Sequence, residues 1–235
     1  TLSDGSNGGL ASNYTISAGQ TTTANITGKS LTVSGITAPN KTYDGNTNAP
    51  LDISNISYSG LVSGDDIGGS FSGAFDNKNI GTSKTVSISA SYSGVDSGNY
   101  TVTDQSSTTA NITARTLTVS GITASNKTYD ATTSATLDTS NVSYAGLVSG
   151  DSFSGSYTGT FNNANVGTSK LVTISSSYSG DDINNYSITD QSSTGADITK
   201  ASPTISGLSA QSKYSDESYT LTGIPSISGL SISYS

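Results

Sequence analysis

The 235-residue chain has no cysteine, methionine, tryptophan or histidine, a single arginine (Arg115) and a single glutamate (Glu217). Without cysteine there is neither a disulfide nor a thiol nucleophile, and without histidine there is no side chain whose ordinary pKa lies near neutrality. The carboxylate pairs Asp65-Asp66 and Asp181-Asp182 read as solvated turn residues, so the chain is expected not to be an enzyme and to need no cofactor. Nine Lys and Arg against seventeen Asp and Glu leave a net charge of -8. Affinity for phosphate backbones requires clustered cations, so nucleic acid is excluded as a partner. No apolar run reaches the 18 or so residues of a membrane span, and residues 1–30 lack the charged and apolar regions of a signal peptide. A cysteine-free composition is compatible with an extracellular bacterial protein.

What the chain has instead is serine and threonine, roughly a third of all residues, with Gly, Asn and Asp marking the turns and Val, Ile, Leu, Tyr and Phe alternating with polar residues. Thr suits strands and Ser, Gly, Asn and Asp suit turns, so the expectation is an all-β protein. Asn40-Lys41-Thr42-Tyr43-Asp44 returns as Asn126-Lys127-Thr128-Tyr129-Asp130, 86 residues on. The chain is a tandem repeat, and the repeat fixes the domain organisation. Residues 1–30 are expected to be the end of a preceding copy, because Asn13-Tyr14-Thr15-Ile16 and Ala24-Asn25-Ile26-Thr27 match Asn99-Tyr100-Thr101-Val102 and Ala110-Asn111-Ile112-Thr113. Residues 31–114 and 115–200 form two full modules, and residues 201–235 begin a divergent one. No Gly or Pro interrupts 110–119, so the last strand of one module feeds directly into the first of the next, giving an extended array.

Within the first module, strict alternation in Val86-Ser87-Ile88-Ser89-Ala90-Ser91-Tyr92 predicts a half-buried strand, and shorter strands are predicted at 31–33, 56–58, 71–75, 100–103 and 110–113. The expected architecture is an antiparallel, immunoglobulin-like β-sandwich per module. Its core is expected to hold Leu31, Tyr43, Phe75, Val86, Ile88, Tyr100 and Ile112, and in the second copy Leu117, Tyr129, Phe161, Val172, Ile174, Tyr186 and Ile198. Glycines repeated at 35, 60, 64, 73, 81 and 94 are expected to need positive φ or tight packing. Gly64 and Gly150 are placed in turns. Gly45, replaced by Ala131, is expected not to need a left-handed backbone.

The stretches LTVSGITAPNKTYDG, LVSGDD, NIGTSKTVSIS and SGNYTVT resemble the YDG domain of very large bacterial surface proteins and haemagglutinin-type adhesins. SKYSDESYTLTG near the end resembles the start of an MBG-type repeat. The second copy departs from the eponymous triplet at Ala131. The resemblance implies an exported, repetitive cell-surface protein and carries over no catalytic residue.

The chain is acidic, and Asp65, Asp96, Asp104, Asp151, Asp182 and Asp190 are the candidate ligands should calcium bind, with turn-forming Asp as the ordinary explanation. Lys41 and Lys127 raise the possibility of a Lys-to-Asn isopeptide bond. The simpler reading lays each Lys along the neighbouring Tyr with its ammonium in water. Tyr92 and Tyr178 on an alternating strand read as packing before they read as a carbohydrate platform. The expected function is a structural stalk of a large bacterial cell-surface adhesin. Expected partners are neighbouring repeats. A self-assembling fibre completed by strands of other copies, or direct binding of host or surface glycans, is the alternative. The Asn-Lys-Thr-Tyr-Asp motif itself reads as a structural signature of each repeat.

Overall fold

The structure, a computed structural model, describes residues 2–17, 19 and 21–202. The expected MBG-type segment lies, from residue 203 on, outside the described residues. The first repeat supplies β1 (Lys29–Ser34), β2 (Lys41–Thr42), β3 (Asn48–Ala49), β4 (Ser57–Ser59), β5 (Gly68–Phe75), β6 (Gly81–Ser93), β7 (Tyr100–Thr103) and β8 (Ser107–Thr113). The second supplies β9 (Arg115–Ser120), β10 (Thr123–Ala124), β11 (Lys127–Thr128), β12 (Ser134–Ala135), β13 (Leu137–Asp138), β14 (Ser143–Ala145), β15 (Ser154–Phe161), β16 (Gly167–Ser179), β17 (Tyr186–Thr189) and β18 (Ser193–Thr199). The only helical segments among the described residues are three single 3-10 turns, so the protein is all β.

Contacts divide the chain into two compact units. Among the described residues, one comprises those up to Ile36, Ile53–Phe71 and Ser89–Ser106; the other comprises Thr37–Asp52, Ser72–Ile88 and 107–202. In the first unit β1 lies between β4 and β7, with Val33 opposite Tyr58 and Leu31 opposite Val102. Alternation along β1 buries Leu31 and Val33 and leaves Thr32 and Ser34 in water. Beyond β1 the Gln105 side chain takes the place of a strand. Its Oε1 accepts from the Ile36 N–H at 2.9 Å and its Nε2 donates to the Ile36 carbonyl at 2.6 Å. The described residues ahead of Lys29 form no strand, and Tyr14, Ile16 and Ile26 are exposed.

The second unit holds a five-stranded sheet in the order β2-β8-β6-β5-β3, through residues 72–75 of β5 and 81–88 of β6. A second five-stranded sheet of the same design runs β11-β18-β16-β15-β12, beside the three-stranded β14-β9-β17 and the pair β10-β13. Apart from the antiparallel pair β10-β13 the sheets are mixed, which corrects the purely antiparallel expectation. β1 with β7, β2 with β8, β9 with β17 and β11 with β18 all pair in parallel. Each repeat opens and closes with strands running the same way, and such a pair is joined through most of the repeat, a separation that period-2 alternation does not register.

The expected alternation of β6 is present, with Val86 buried, Ile88, Ala90 and Tyr92 half-buried and the intervening residues exposed. Gly64 and Gly150 lie in turns at φ 99 and 93°. Gly45 and Ala131 correct an expectation: their φ angles are 81 and 62°, so the position is left-handed in both copies and the second adopts it with a Cβ. Ser83 and Ser169 also take positive φ, 50 and 47°, at a bulge where β6 and β16 shift register against β8 and β18.

In the second unit one core joins the two repeats. Tyr43, Ala49, Phe75, Val86, Ala110 and Ile112 from the first repeat pack with Leu117 and Tyr186 from the second. Only Ala114 separates β8 from β9, so the chain passes between repeats with no linker. Ile88, Tyr100 and Tyr129 are half-buried and not, as expected, fully so. Small residues that sequence reading passed over, Ala49, Ala110, Ala135 and Ala196, are buried as well.

Candidate functional site

The polar centre of the second unit is built on the first repeat's Tyr43 and Lys78 and the second repeat's Asp151, Asp182, Asn185 and Tyr186. Tyr43 follows β2, where its N–H donates to the Thr113 carbonyl at 2.9 Å, and its side chain is 0% exposed. Such a ring adds large apolar burial while its hydroxyl requires a partner. That partner is Asp151, whose two oxygens accept from the Tyr43 hydroxyl at 2.8 and 3.0 Å. The Tyr186 hydroxyl donates to the same carboxylate at 2.6 Å and accepts from the Val148 N–H at 2.9 Å. The two tyrosine rings meet edge to face, centroids 5.5 Å apart.

Lys78 closes the cluster. Its Nζ lies 3.1 Å from Asp151 and 2.7 Å from Asp182, and 5.9 Å from the centre of the Tyr43 ring. Asp182 also accepts from the Ser152 N–H at 3.1 Å. Beside it Asn185, 3% exposed, accepts from the Ile80 N–H at 3.0 Å and donates to Asn79 Oδ1 at 3.2 Å. Gly45 rests on Val148, whose Cγ1 would stand 2.8 Å from a Cβ at that position.

The electrostatics follow from these contacts. The Lys78 ammonium, and then the Ser152 N–H, hold the Asp182 carboxyl below its ordinary value, and Asp182 in turn leads the groups that raise Lys78. Burial, then the hydrogen bond to Asp151, raises Tyr43 and pushes Tyr186 up to about 12. Both phenols are therefore neutral, and Asp182 is charged beside the Lys78 ammonium, across the physiological range. The arrangement clamps two repeats together; none of its groups is placed as an activated nucleophile beside a general base.

The six aspartates considered for calcium fall into separate places. Asp151 and Asp182 share Lys78. Asp65 accepts from the Tyr100 hydroxyl at 2.5 Å, and Asp96 accepts from the Asp66 N–H at 2.9 Å. Asp104 and Asp190 accept from Tyr92 and Tyr178. Among the described residues no three Asp, Glu, His or Cys side chains gather as a metal site.

Lys41 does not lie along Tyr43 with its ammonium in water. It passes over the Phe75 ring, 5.5 Å from its centre, and its Nζ donates to Asp44, to Asn46 Oδ1 at 3.1 Å, and to the Asn46 and Asn48 carbonyls. Lys127 repeats this over Phe161, with Thr132 in place of Asn46. Each lysine closes the loop after the motif by satisfying backbone carbonyls. The Lys127 ammonium, with the Thr132 N–H, brings Asp130 down to about 2. Tyr92 and Tyr178 pack against aromatic neighbours, Phe71 and Phe153 respectively. A cleft of about 390 Å³ is lined by Ser134, Leu137, Gly155 and Tyr157, with no charged side chain on its wall.

Sequence reading missed the cluster because Tyr43 and Asp151 are 108 residues apart. One signal was present: Lys78 is one of the few positions where the copies differ in charge, its counterpart being Ala164.

The fold and this cluster define a class: an all-β chain of tandem repeats in which one repeat is locked to the next through a common core. The chain belongs to the YDG domain family, whose domain it carries twice, at residues 27–110 and 113–195. No curated protein and no solved structure matches the chain.

Proposed function

We propose that these repeats are stalk modules of a large bacterial cell-surface adhesin, immunoglobulin-like in their layered build, which hold a distal adhesive region away from the cell and act without catalysis. The supporting observation is the joint. Leu117 and Tyr186 complete a core begun by the first repeat, and Asp151 and Asp182 bind its Tyr43 and Lys78. A single residue between β8 and β9 removes the slack that a flexible linker would provide. These are properties of a load-bearing series. The acidic, cysteine-free composition suits an extracellular setting, and among the described residues no helix is long and apolar enough to cross a membrane.

The test is electron microscopy of chains carrying different numbers of these repeats. The stalk reading expects monomers at every concentration, with contour length rising by a fixed increment per repeat. Concentration-dependent filaments with strands crossing between chains would favour a self-assembling fibre, and saturable binding on a glycan array would favour a direct adhesive module.

A further inference from the structure

The face that Tyr43 and Lys78 cover in the second unit is built from Val148, Asp151, Asp182, Asn185 and Tyr186. The first repeat carries the identical residues at the matching positions, Val62, Asp65, Asp96, Asn99 and Tyr100. They are also assembled in the same way. The Tyr100 hydroxyl donates to Asp65 and accepts from the Val62 N–H at 3.0 Å, as Tyr186 does with Asp151 and Val148. The Asp66 N–H donates to Asp96 as the Ser152 N–H does to Asp182.

What differs is cover. Asn185 and Tyr186 are 3% and 8% exposed, whereas Asn99 is exposed and Tyr100 half-buried. Val62 is 42% exposed and Val148 half-buried; Asp182 is buried and Asp96 half-buried. Apart from Tyr100, itself a member of this face, no tyrosine or lysine among the described residues bonds to Asp65 or Asp96. We propose that Val62, Asp65, Asp96, Asn99 and Tyr100 form a docking face for the tyrosine-lysine edge of another YDG repeat, one carrying Tyr and Lys at the positions of Tyr43 and Lys78 and placed directly ahead in the same polypeptide.

Three observations select this occupant. The pair of carboxylates matches the tyrosine hydroxyl and ammonium that fill the twin face. The exposed Val62 matches the bare loop at Gly45, which leaves room for the valine of the twin face. Finally, Ala24-Asn25-Ile26-Thr27 repeats the ending of a repeat just ahead of Leu31, as Ala110-Asn111-Ile112-Thr113 does just ahead of Leu117. Ile26 is 101% exposed while its counterparts Ile112 and Ile198 are 2% and 1% exposed, so a side chain that its repeat buries stands uncovered here. Lys78 acts as the selector. A repeat with Ala at that position, as at Ala164, brings no cation to the two carboxylates. The inference does not depend on the stalk reading; it holds for any array of these repeats.

The absence of cysteine makes the test direct. Val62→Cys and Val148→Cys variants of the full chain are compared for reaction with a thiol reagent, then repeated in a chain where residues 31–116 are duplicated directly ahead of Leu31. In the original chain V148C is expected to react about tenfold or more slowly than V62C, as covered sites do. In the duplicated chain V62C in the original copy is expected to fall to the V148C rate. Tyr43→Ala with Lys78→Ala in the inserted copy should restore its reactivity. As a second measurement, Asp65→Asn with Asp96→Asn should lower the thermal midpoint more in the duplicated chain than in the original one. Unchanged V62C reactivity overturns the proposal. So does an inserted copy that fails to fold, because docking on this face is what completes its core. Retention of protection after removal of the inserted tyrosine and lysine overturns the assigned partner chemistry.

Discussion

Tyr43 and Tyr129 occupy the same place in identical five-residue motifs, yet their surroundings give them different weights. The Tyr43 hydroxyl donates to a carboxylate that is itself almost wholly buried, with the Asp151 side chain 3% exposed. Hydrogen bonds to charged groups contribute about 1.5–3 kcal/mol, so Tyr43→Phe should cost about that much in denaturant unfolding. Tyr129, half-buried and without a carboxylate partner among the described residues, should lose well under half as much as Phe. Removing Asp151 altogether leaves Lys78 and two phenols without their shared acceptor, and Asp151→Ala should exceed the Tyr43→Phe loss, at about 3–5 kcal/mol. The left-handed position one residue beyond the motif gives the opposite pair of signs. Ala131→Gly relieves a φ of 62° and should stabilise by up to about 1 kcal/mol, whereas Gly45→Ala adds both that strain and a Cβ 2.8 Å from Val148, and should destabilise. Chemical denaturation of the two variants checks the signs.

The same residues set a pH dependence at both ends. A phenol raised in the folded state stabilises fully below its unfolded value and loses that contribution as pH climbs to the folded value. Tyr186, at 10.0 unfolded and about 12 folded, should therefore weaken the fold across that interval, with Tyr43 acting in the same direction. Asp182, depressed by Lys78, stabilises above 3.8 and loses its contribution as pH falls below that value. Thermal midpoints measured across both ranges should decline at each extreme. In Tyr43→Phe the alkaline decline should be shallower.

At the scale of elements, the junction at Ala114 governs how tightly the repeats are coupled. A three-residue Gly-Ser-Gly insertion between Ala114 and Arg115 keeps every strand but frees β9 from the register set by β8. The cluster around Tyr43 should then lose its fixed geometry, and the unfolding transition of the second unit should broaden or split, as calorimetry would show. Much of this level was legible beforehand. The alternation of residues 86–92, the turns at Gly64 and Gly150 and the unbroken run 110–119 follow from local pattern, which is where single-residue preferences act. The parallel pairs were not legible, because hydrophobic alternation states which residues share a face and not which strand lies alongside. Gln105 and Gln191 imitate a strand with a side-chain amide, and a lone glutamine in a polar chain gives no sign of that use. The cluster itself depends on pairs such as Tyr43 with Asp151, for which no local rule exists, and on a Lys78 whose meaning is visible only against the Ala164 of the other copy.

At the scale of the molecule, the repeat in sequence does not coincide with the compact unit. Residues 37–52 and 72–88 of the first repeat belong to the same compact unit as the whole described second repeat. A chain ending at Ala114 would leave Tyr43, Phe75 and Ile112 without Leu117 and Tyr186, and those side chains each contribute about 1.5–3 kcal/mol when buried. The first repeat alone should therefore melt well below the transition of the intact chain, by about 10 °C or more for a small domain losing several kcal/mol. Equal melting temperatures would show that the common core adds nothing to its stability.

A core completed by the next repeat also imposes an order in time. Synthesis delivers the chain from its N-terminal end, and domains ordinarily fold as they emerge. Here Tyr43 appears long before Asp151 and Tyr186, so the half of the repeat that carries it must wait for nearly another repeat to be made before its last partners arrive. During that interval its apolar face stays open, with the high proportion of Ser and Thr around it to keep it in solution. The second repeat then closes the first, whose folding is completed one step behind synthesis.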